Sequence, residues 1–260
     1  MQYDIFIQGG QSNSEGTGHG PVMRELSVMD DVWYLEAEKT VEVLEDNMRI
    51  TYADKPLKLV PAQERVVNGE VTGDFSLTFA EEYKKAGLLK EGRQIVIVRA
   101  AIGGTGFQKK QWGLGNLLHN KLVEMTDYAL TLGEGSHVVG FLWHQGEHDA
   151  FEGNIPDRYY RQLTEMLADV RARYGADIPF IAGDFVNDWK SKNIEICAPI
   201  IEKIKQAVAN DGNAAFVETS DLLSNSQLLG NEDDIHFCRE SLHILGARYF
   251  QAFKNLKKNK

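Results

Sequence analysis

At 260 residues, 43% of them hydrophobic, the chain is long enough to bury a substantial core in a single α/β domain. A formal charge of -10 argues against sequence-independent binding to nucleic acid, which needs clustered Lys and Arg to neutralise phosphates. It disfavours an anionic membrane surface for the same reason. Two cysteines, Cys197 and Cys238, are too few for a disulfide framework and are not spaced as a metal pair, so both read as free thiols, with a single disulfide as the alternative. No apolar run approaches the length of a membrane span.

After Met1 the chain runs directly into Tyr3-Asp4-Ile5-Phe6-Ile7, which reads as structure and not as a signal peptide. A cytoplasmic location is the expectation, although a chain whose leader had been removed would look the same. Tyr3 to Gln8 is a buried strand ending at the turn Gly9-Gly10. Residues 11–20 are polar and Gly-rich, a loop or the start of a short helix. Residues 32–35, 41–44 and 48–52 are brief β-prone pieces, read as a small surface excursion spanning about residues 32–60. Residues 54–74 have no clear period. The spacing of Leu77, Phe79, Tyr83 and Ala86 predicts a helix from Ser76 to Gly87. A strand follows at 94–101, broken by Gly103-Gly104-Thr105-Gly106, then a helix at 117–132. Val138 to Trp143 is the next buried strand, followed by a helix at 158–174, a strand at 178–182, a helix at 194–210, a strand at 214–217 and a last helix at 240–253. Alternation of strand and helix repeated in this way predicts a parallel sheet covered by helices on both faces. No repeat or linker divides the chain, so residues 1–260 read as one domain.

Several groups at strand ends can carry chemistry. Ser12 follows the first strand at a tight turn, where a hydroxyl and backbone N–H groups meet at the carboxyl edge of a sheet; a Ser in a Gly-rich turn is as readily plain turn chemistry. His236 lies three residues after Asp233, a spacing at which the carboxylate reaches Nδ1 and leaves Nε2 free as a base. Asp234, one residue closer, points away from the ring. A surface turn at a helix start gives the same pattern. Gly104 sits in a turn whose backbone N–H groups can approach a ligand closely.

The stretch from Trp143 to Asp149 holds two competing chemistries. His144, Glu147 and His148 spell H-x-x-E-H, a zinc pattern that works only on a helix. The strand-like run before it and Gly146 within it argue against one. Alternatively Gln145, leaving a strand end, donates its amide N–H to a developing oxyanion. Gly16-x-Gly18-x-Gly20 lacks both the Lys-Ser/Thr of a phosphate loop and a dinucleotide fingerprint.

Taken in order, Gly10-Gln11-Ser12-Asn13, Ala101-Ile102-Gly103-Gly104-Thr105, Trp143-His144-Gln145-Gly146-Glu147-x-Asp149 and Asp233-x-x-His236 resemble the blocks of SGNH-type hydrolases. The variant is that of carbohydrate esterase family six and the sialate O-acetylesterase domain, in which Gln replaces the usual oxyanion Asn. The resemblance implies a flavodoxin-like three-layer α/β/α sandwich with a five-stranded parallel sheet. It implies a cofactor-free serine esterase that removes O-acetyl groups from carbohydrates such as xylan oligosaccharides or O-acetylated sialic acid. By this likeness Ser12 is the nucleophile, His236 the base and then acid, and Asp233 the orienting carboxylate. The Ser12 N–H, the Gly104 N–H and Gln145 form the oxyanion hole, and Asn13 and Glu147 brace the loops. Where an apolar residue commonly follows the first block, this chain has Ser14-Glu15, which leaves the floor of the pocket open. Phe107, Trp112 and Trp189 lie in or near loops at the same edge as candidates to stack on a sugar, with lid packing as the plainer reading; His19 is a fourth candidate. Two rival functions remain: a zinc hydrolase on His144, Glu147 and His148, and a carbohydrate-binding protein without catalysis. Oligomeric state is not legible.

Overall fold

The computed structural model describes residues 1–45 and 48–258. Its first half runs β1 (Gln2–Gly10), α1 (Ser12–Glu15), β2 (Val32–Glu36), β3 (Lys39–Val43), β4 (Met48–Tyr52), β5 (Lys58–Pro61), β6 (Arg65–Val67), β7 (Glu70–Thr72), α2 (Phe75–Lys85) and β8 (Arg93–Arg99). The second half runs α3 (Leu117–Thr131), β9 (His137–His144), α4 (Glu147–Phe151), α5 (Pro156–Tyr174), β10 (Phe180–Gly183), α6 (Asn187–Lys192), α7 (Ile194–Ala209), β11 (Ala214–Val217), α8 (Asn225–Leu229) and α9 (Arg239–Lys258).

The central sheet has the order β11-β10-β9-β1-β8-β2-β5, seven strands where five were expected. All pairings are parallel except that of the edge strand β5 with β2. The two additional strands come from the segment read as a surface excursion. Val32, Tyr34 and Leu35 are essentially inaccessible, and β2 pairs in register with β8, Val32 opposite Ile95. Of that excursion, among the described residues β3 and β4 stand apart from the sheet, as an antiparallel hairpin. Residues 54–74 contribute β5 and the small β6–β7 hairpin.

Both faces of the sheet are covered, which is why its inner strands read as continuous apolar runs. Ile5, Ile7, Phe141 and Trp143 face a core built with α3, α5 and α7. Phe6, Ile97 and Leu142 face the opposite core, built from α2 and α9. There Phe6, Phe79, Tyr83 and Phe253 meet edge to face at centroid distances of 4.9 to 5.9 Å, the arrangement that ring quadrupoles favour. Cys197 and Cys238 are both free and buried. Among the described residues no helix is long and apolar enough to cross a membrane.

Strand order reverses at β1. On one side the chain goes out to β2 and β5 and returns to β8 beside β1, then crosses to β9, β10 and β11 on the other. The loops leaving β1, β8 and β9 therefore diverge around a crevice at the carboxyl edge, where open α/β sheets bind ligands.

Candidate active site

The turn after β1 is fixed by its neighbour strand. Gln11 N–H donates to His144 O at 3.0 Å. Gly10 adopts φ +132°, and a Cβ there would lie 2.1 Å from that same carbonyl, so only glycine fits. The chain then turns at once into α1, with Ser12 as its first residue. Its N–H is one of those that a helix start leaves without an internal partner.

Ser12 Oγ lies 2.8 Å from His236 Nε2, and His236 Nδ1 lies 2.7 Å from Asp233 Oδ1. Asn225 Nδ2 donates to the other Asp233 oxygen at 2.8 Å. Burial raises the Asp233 carboxyl, but the hydrogen bond and charge of His236 and the Asn225 amide outweigh it and hold the group below its ordinary value. Asp234 turns away to Lys192, as its spacing predicts. Asn13, fully buried, bridges the loops: Nδ2 donates to Glu147 Oε1 at 3.0 Å and to Ile235 O at 3.1 Å, while Oδ1 accepts from Phe237 N at 3.1 Å. His236 is thus pinned on both sides through one side chain.

The loop after β8 closes over the serine. A Cβ on Gly103 would sit 3.3 Å from Ser12 Cβ, so the Gly103-Gly104 backbone passes directly beside it. The Glu15 carboxylate holds this approach by accepting from Gly103 N at 2.7 Å. Burial raises that carboxyl, yet Lys39, Arg65, the Gly103 N–H and Arg99 together lower it below its usual value. Ser14 is buried as well and donates to Gly9 O at 3.0 Å. The polar pair Ser14-Glu15 therefore ties the turn to the sheet and to Gly103 by hydrogen bonds, at the position where the family pattern commonly has an apolar residue.

Gln145 lies where β9 ends, between the loops of Ser12 and Gly104, and its amide is engaged differently from the expectation. Nε2 donates to Asp149 Oδ2 at 2.6 Å, and faces Thr105 O and Gln11 Oε1 at the longer distances of 3.2 and 3.3 Å. Asp149 is the residue that motif reading undervalued. It lies within the first turn of α4 and accepts from Phe107 N, Gln108 N, Gln145 Nε2 and Asn154 Nδ2 at 2.6 to 2.9 Å, binding the β8–α3 loop to α4. Burial pushes its carboxyl up, against those four donors. Gln11, which accepts from His148 N at 3.1 Å, joins the same network. The signal for both was present in the sequence, since each sits within a quoted block.

The stacking candidates fall elsewhere. Trp112 is wholly buried, donates Nε1 to Thr105 Oγ1 at 3.0 Å and packs edge to face on Trp143. Phe107 is buried against Trp143 and Tyr159, and Trp189 lies 7% exposed beside Phe185. These rings complete the core beneath the loops and leave no free face for a sugar. His19 pairs with Glu70 at 3.1 Å, and its backbone N–H donates to Asn225 Oδ1. What opens beside Gly104 is a cavity of about 320 Å³, lined by Met48, Lys109, Gln111, His148, Glu152 and residues 43–45 of the β3–β4 hairpin.

The zinc pattern is divided between two environments. His144 closes β9 deep in the core, with Nδ1 on Tyr249 Oη at 3.0 Å. His148 belongs to α4 and faces Glu152 at 4.0 Å on the cavity side. Among the described residues no three His, Cys, Asp or Glu side chains converge as metal ligands.

A family model described as a carbohydrate esterase, sialic acid-specific acetylesterase, matches residues 2–255. No curated protein matches the chain in sequence. Among solved structures, NanS is similar at a TM-score of 0.78 and 17% identity, covering 100% of this chain and 98% of its own. A protein of Arabidopsis thaliana is similar at 0.68 and 20%, covering 97% and 98%. A carbohydrate acetylesterase from Xanthomonas citri is similar at 0.64 and 20%, covering 99% of this chain and 57% of its own. At such identities these likenesses speak for the fold.

Proposed function

The chain belongs to the carbohydrate esterases of the sialic acid-specific acetylesterase family, and we propose that it hydrolyses O-acetyl esters of sugars through an acetyl-Ser12 intermediate. The observation that carries the reading is the aligned row Ser12 Oγ, His236 Nε2, His236 Nδ1 and Asp233 Oδ1, with separations of 2.8 and 2.7 Å.

His236 Nε2 takes the hydroxyl proton as Oγ attacks the acetyl carbonyl. Asp233 holds the ring with its proton on Nδ1 and stabilises the imidazolium that forms. The carbonyl π electrons move to oxygen, and the oxyanion is met by the N–H groups of Ser12 and Gly104. One Gln145 amide hydrogen is held firmly by Asp149. The other, shared between acceptors at 3.2 and 3.3 Å, is the hydrogen a developing oxyanion can take over. The imidazolium then protonates the departing sugar oxygen as the C–O bond breaks. Water, deprotonated by His236, attacks the acetyl-enzyme; acetate leaves and Ser12 regains its proton.

The sugar is assigned to the cavity beside Gly104. Its volume of about 320 Å³ is at the lower end of small-molecule sites, and its mixture of Met48 with Gln111, His148, Lys109 and Glu152 suits a small hydroxylated ring better than an acyl chain. The deciding experiment is acetate release from O-acetylated sialic acid and from acetylated xylan oligosaccharides, by wild type and Ser12→Ala, with and without EDTA. The proposal expects loss of turnover and of the acetyl-enzyme mass adduct in Ser12→Ala, and indifference to EDTA. Activity that survives Ser12→Ala and disappears in EDTA would establish the metal reading instead. Binding of acetylated sugar without acetate release would establish the non-catalytic one.

A further inference from the structure

Two side chains of the Trp143–Asp149 stretch have no part in the reaction just described, and both are buried to zero exposure beneath it. His144 and Glu147 lie side by side, Nε2 to Oε1 at 3.6 Å. His144 Nε2 and Glu147 Oε2 are buried polar atoms with no hydrogen-bond partner among the described residues. Such orphaned atoms call for a physical account.

Proton counting supplies one. Tyr249 has a single hydroxyl hydrogen, and it is donated to Trp143 O at 2.8 Å. The Tyr249 oxygen can then only accept from His144 Nδ1, 3.0 Å away, so the Nδ1 position is protonated. The pocket is shaped for this contact, since a Cβ on Gly183 would fall 2.5 Å from Tyr249 Oη and 2.7 Å from His144 Nδ1. What remains open is how many protons lie between Nε2 and the carboxyl. With none, a carboxylate confronts a lone pair; with two, an imidazolium confronts a carboxylic acid. Either leaves an uncompensated charge at a fully buried site, a strongly unfavourable state. One proton is the solution.

We propose that Glu147 is a neutral carboxylic acid donating that one proton to His144 Nε2, and that this pair, through Asn13, positions the loop that carries His236. In this assignment the orphaned Oε2 carries the proton, and a turn of the carboxyl about its soft terminal torsion would aim it at Nε2, whose contact with the carboxyl is now 3.6 Å. Oε1 meanwhile accepts from Asn13, whose remaining bonds clamp Ile235 and Phe237. Burial moves both groups toward their neutral forms: it pushes the Glu147 carboxyl up and takes the His144 ring down to about 3. The groups facing the pair from the surrounding elements do not reverse this. Phe75, Phe237 and Tyr249 are uncharged. Burial raises the Cys197 thiol to about 12, keeping it protonated. Asp184 is paired with Lys190 at 2.7 Å and disfavours a second negative charge. Of the charged neighbours, His236 favours the carboxylate, against the larger effect of burial.

The positioning half rests on the function proposed above; the protonation half does not, and the tests separate them. Infrared difference spectra of wild type against Glu147→Gln at neutral pH should contain the carbonyl band of a protonated carboxylic acid. Its absence overturns the proposal in favour of an ion pair, whether or not any substrate is turned over. The substituted amide would keep both a neutral donor toward Nε2 and an acceptor for Asn13. Glu147→Gln should therefore hold kcat within about threefold and leave the acid limb of the kcat/KM profile in place. Glu147→Ala should lose on the order of a hundredfold in kcat with little change in KM, as displaced catalytic groups do. A Gln variant as impaired as the Ala variant, or one whose acid limb moves, shows that the carboxylate charge acts on His236 and overturns the positioning role. If Glu147→Ala fails to fold, the Gln variant alone decides. Wild type inactive on every acetyl ester refutes the esterase reading while leaving the infrared result to stand.

Discussion

Asn13 holds the segments on both sides of His236, and its removal gives the sharpest test. Asn13→Ala deletes hydrogen bonds to Glu147, Ile235 and Phe237, two of them immediately flanking His236. Phe237 and Glu147 are fully buried, so water does not readily replace what is lost. An orphaned buried partner costs about 1–3 kcal/mol. Three that share one neighbourhood do not add fully, so a total of about 3–5 kcal/mol follows, a large part of the roughly 5–15 kcal/mol that holds a domain folded. The kinetic effect is separate: with the 235–237 segment released, His236 no longer rests 2.8 Å from Ser12, and a displacement near 1 Å is worth about a hundredfold in rate. Turnover of a small acetyl ester is to be measured well below the unfolding midpoint, beside thermal melts. The expectation is a loss of about a hundredfold in kcat with KM nearly unchanged, together with a markedly lower midpoint. A folded Ala variant with kcat within about threefold of wild type would refute the reasoning.

Other predictions follow from the same geometry. Gln145→Ala should fold yet lose about a hundred- to a thousandfold in turnover as an oxyanion donor disappears; near-normal turnover would confine Gln145 to holding Asp149. Trp112→Ala should lower stability by about 3–5 kcal/mol, the usual cost of emptying a buried aromatic position, with KM for the sugar little altered. A large rise in KM with an unchanged melting point would mean that the ring meets substrate after all. Acid should destabilise the fold through His144. Its ordinary value is 6.5 and its folded value about 3, so as pH falls from 6.5 to 3 the unfolded chain takes up a proton that the native state refuses. The loss reaches roughly 5 kcal/mol at about 1.36 kcal/mol per pH unit. Glu147, shifted upward, acts oppositely: its contribution is complete below the ordinary carboxylate range and fades as pH rises through its folded value. Denaturant midpoints across this range should fall less steeply for His144→Gln than for wild type, and equal slopes would count against the assignment.

Short-range geometry made Ser12, His236 and Asp233 candidates, through a strand-ending Gly10-Gln11-Ser12 turn and a carboxylate three residues before a His. It was the resemblance of all four blocks that chose them over plain turn chemistry. The runs at Tyr3, Gln94 and Val138 likewise announced inner strands, since burial on both faces removes polar residues from them. Pairings over long distances in the chain were hidden. Val32–Glu36 resembles the hairpin strands that follow it, and only its register with β8, some sixty residues on, distinguishes a sheet strand from a surface piece. Aromatic residues in the β8–α3 loop misled for a related reason. A loop carrying Thr105, Gln111 and Asn116 can satisfy its own polar atoms and fold inward, taking Phe107 and Trp112 into the core. The acceptors of the Gln145 amide depended on α4 starting at Glu147, a start that the Gly before it concealed.

Ser12 and His236 meet from positions 224 residues apart. On the proposed mechanism hydrolysis acts as a proof of completion: in a chain still emerging, before His236 is in place, Ser12 has nothing to deprotonate it. Closing so long a loop is slow relative to forming the local turns at either end. Recovery of acetyl-ester turnover during refolding should accordingly lag behind recovery of helical signal, so that turnover times the closure of this contact.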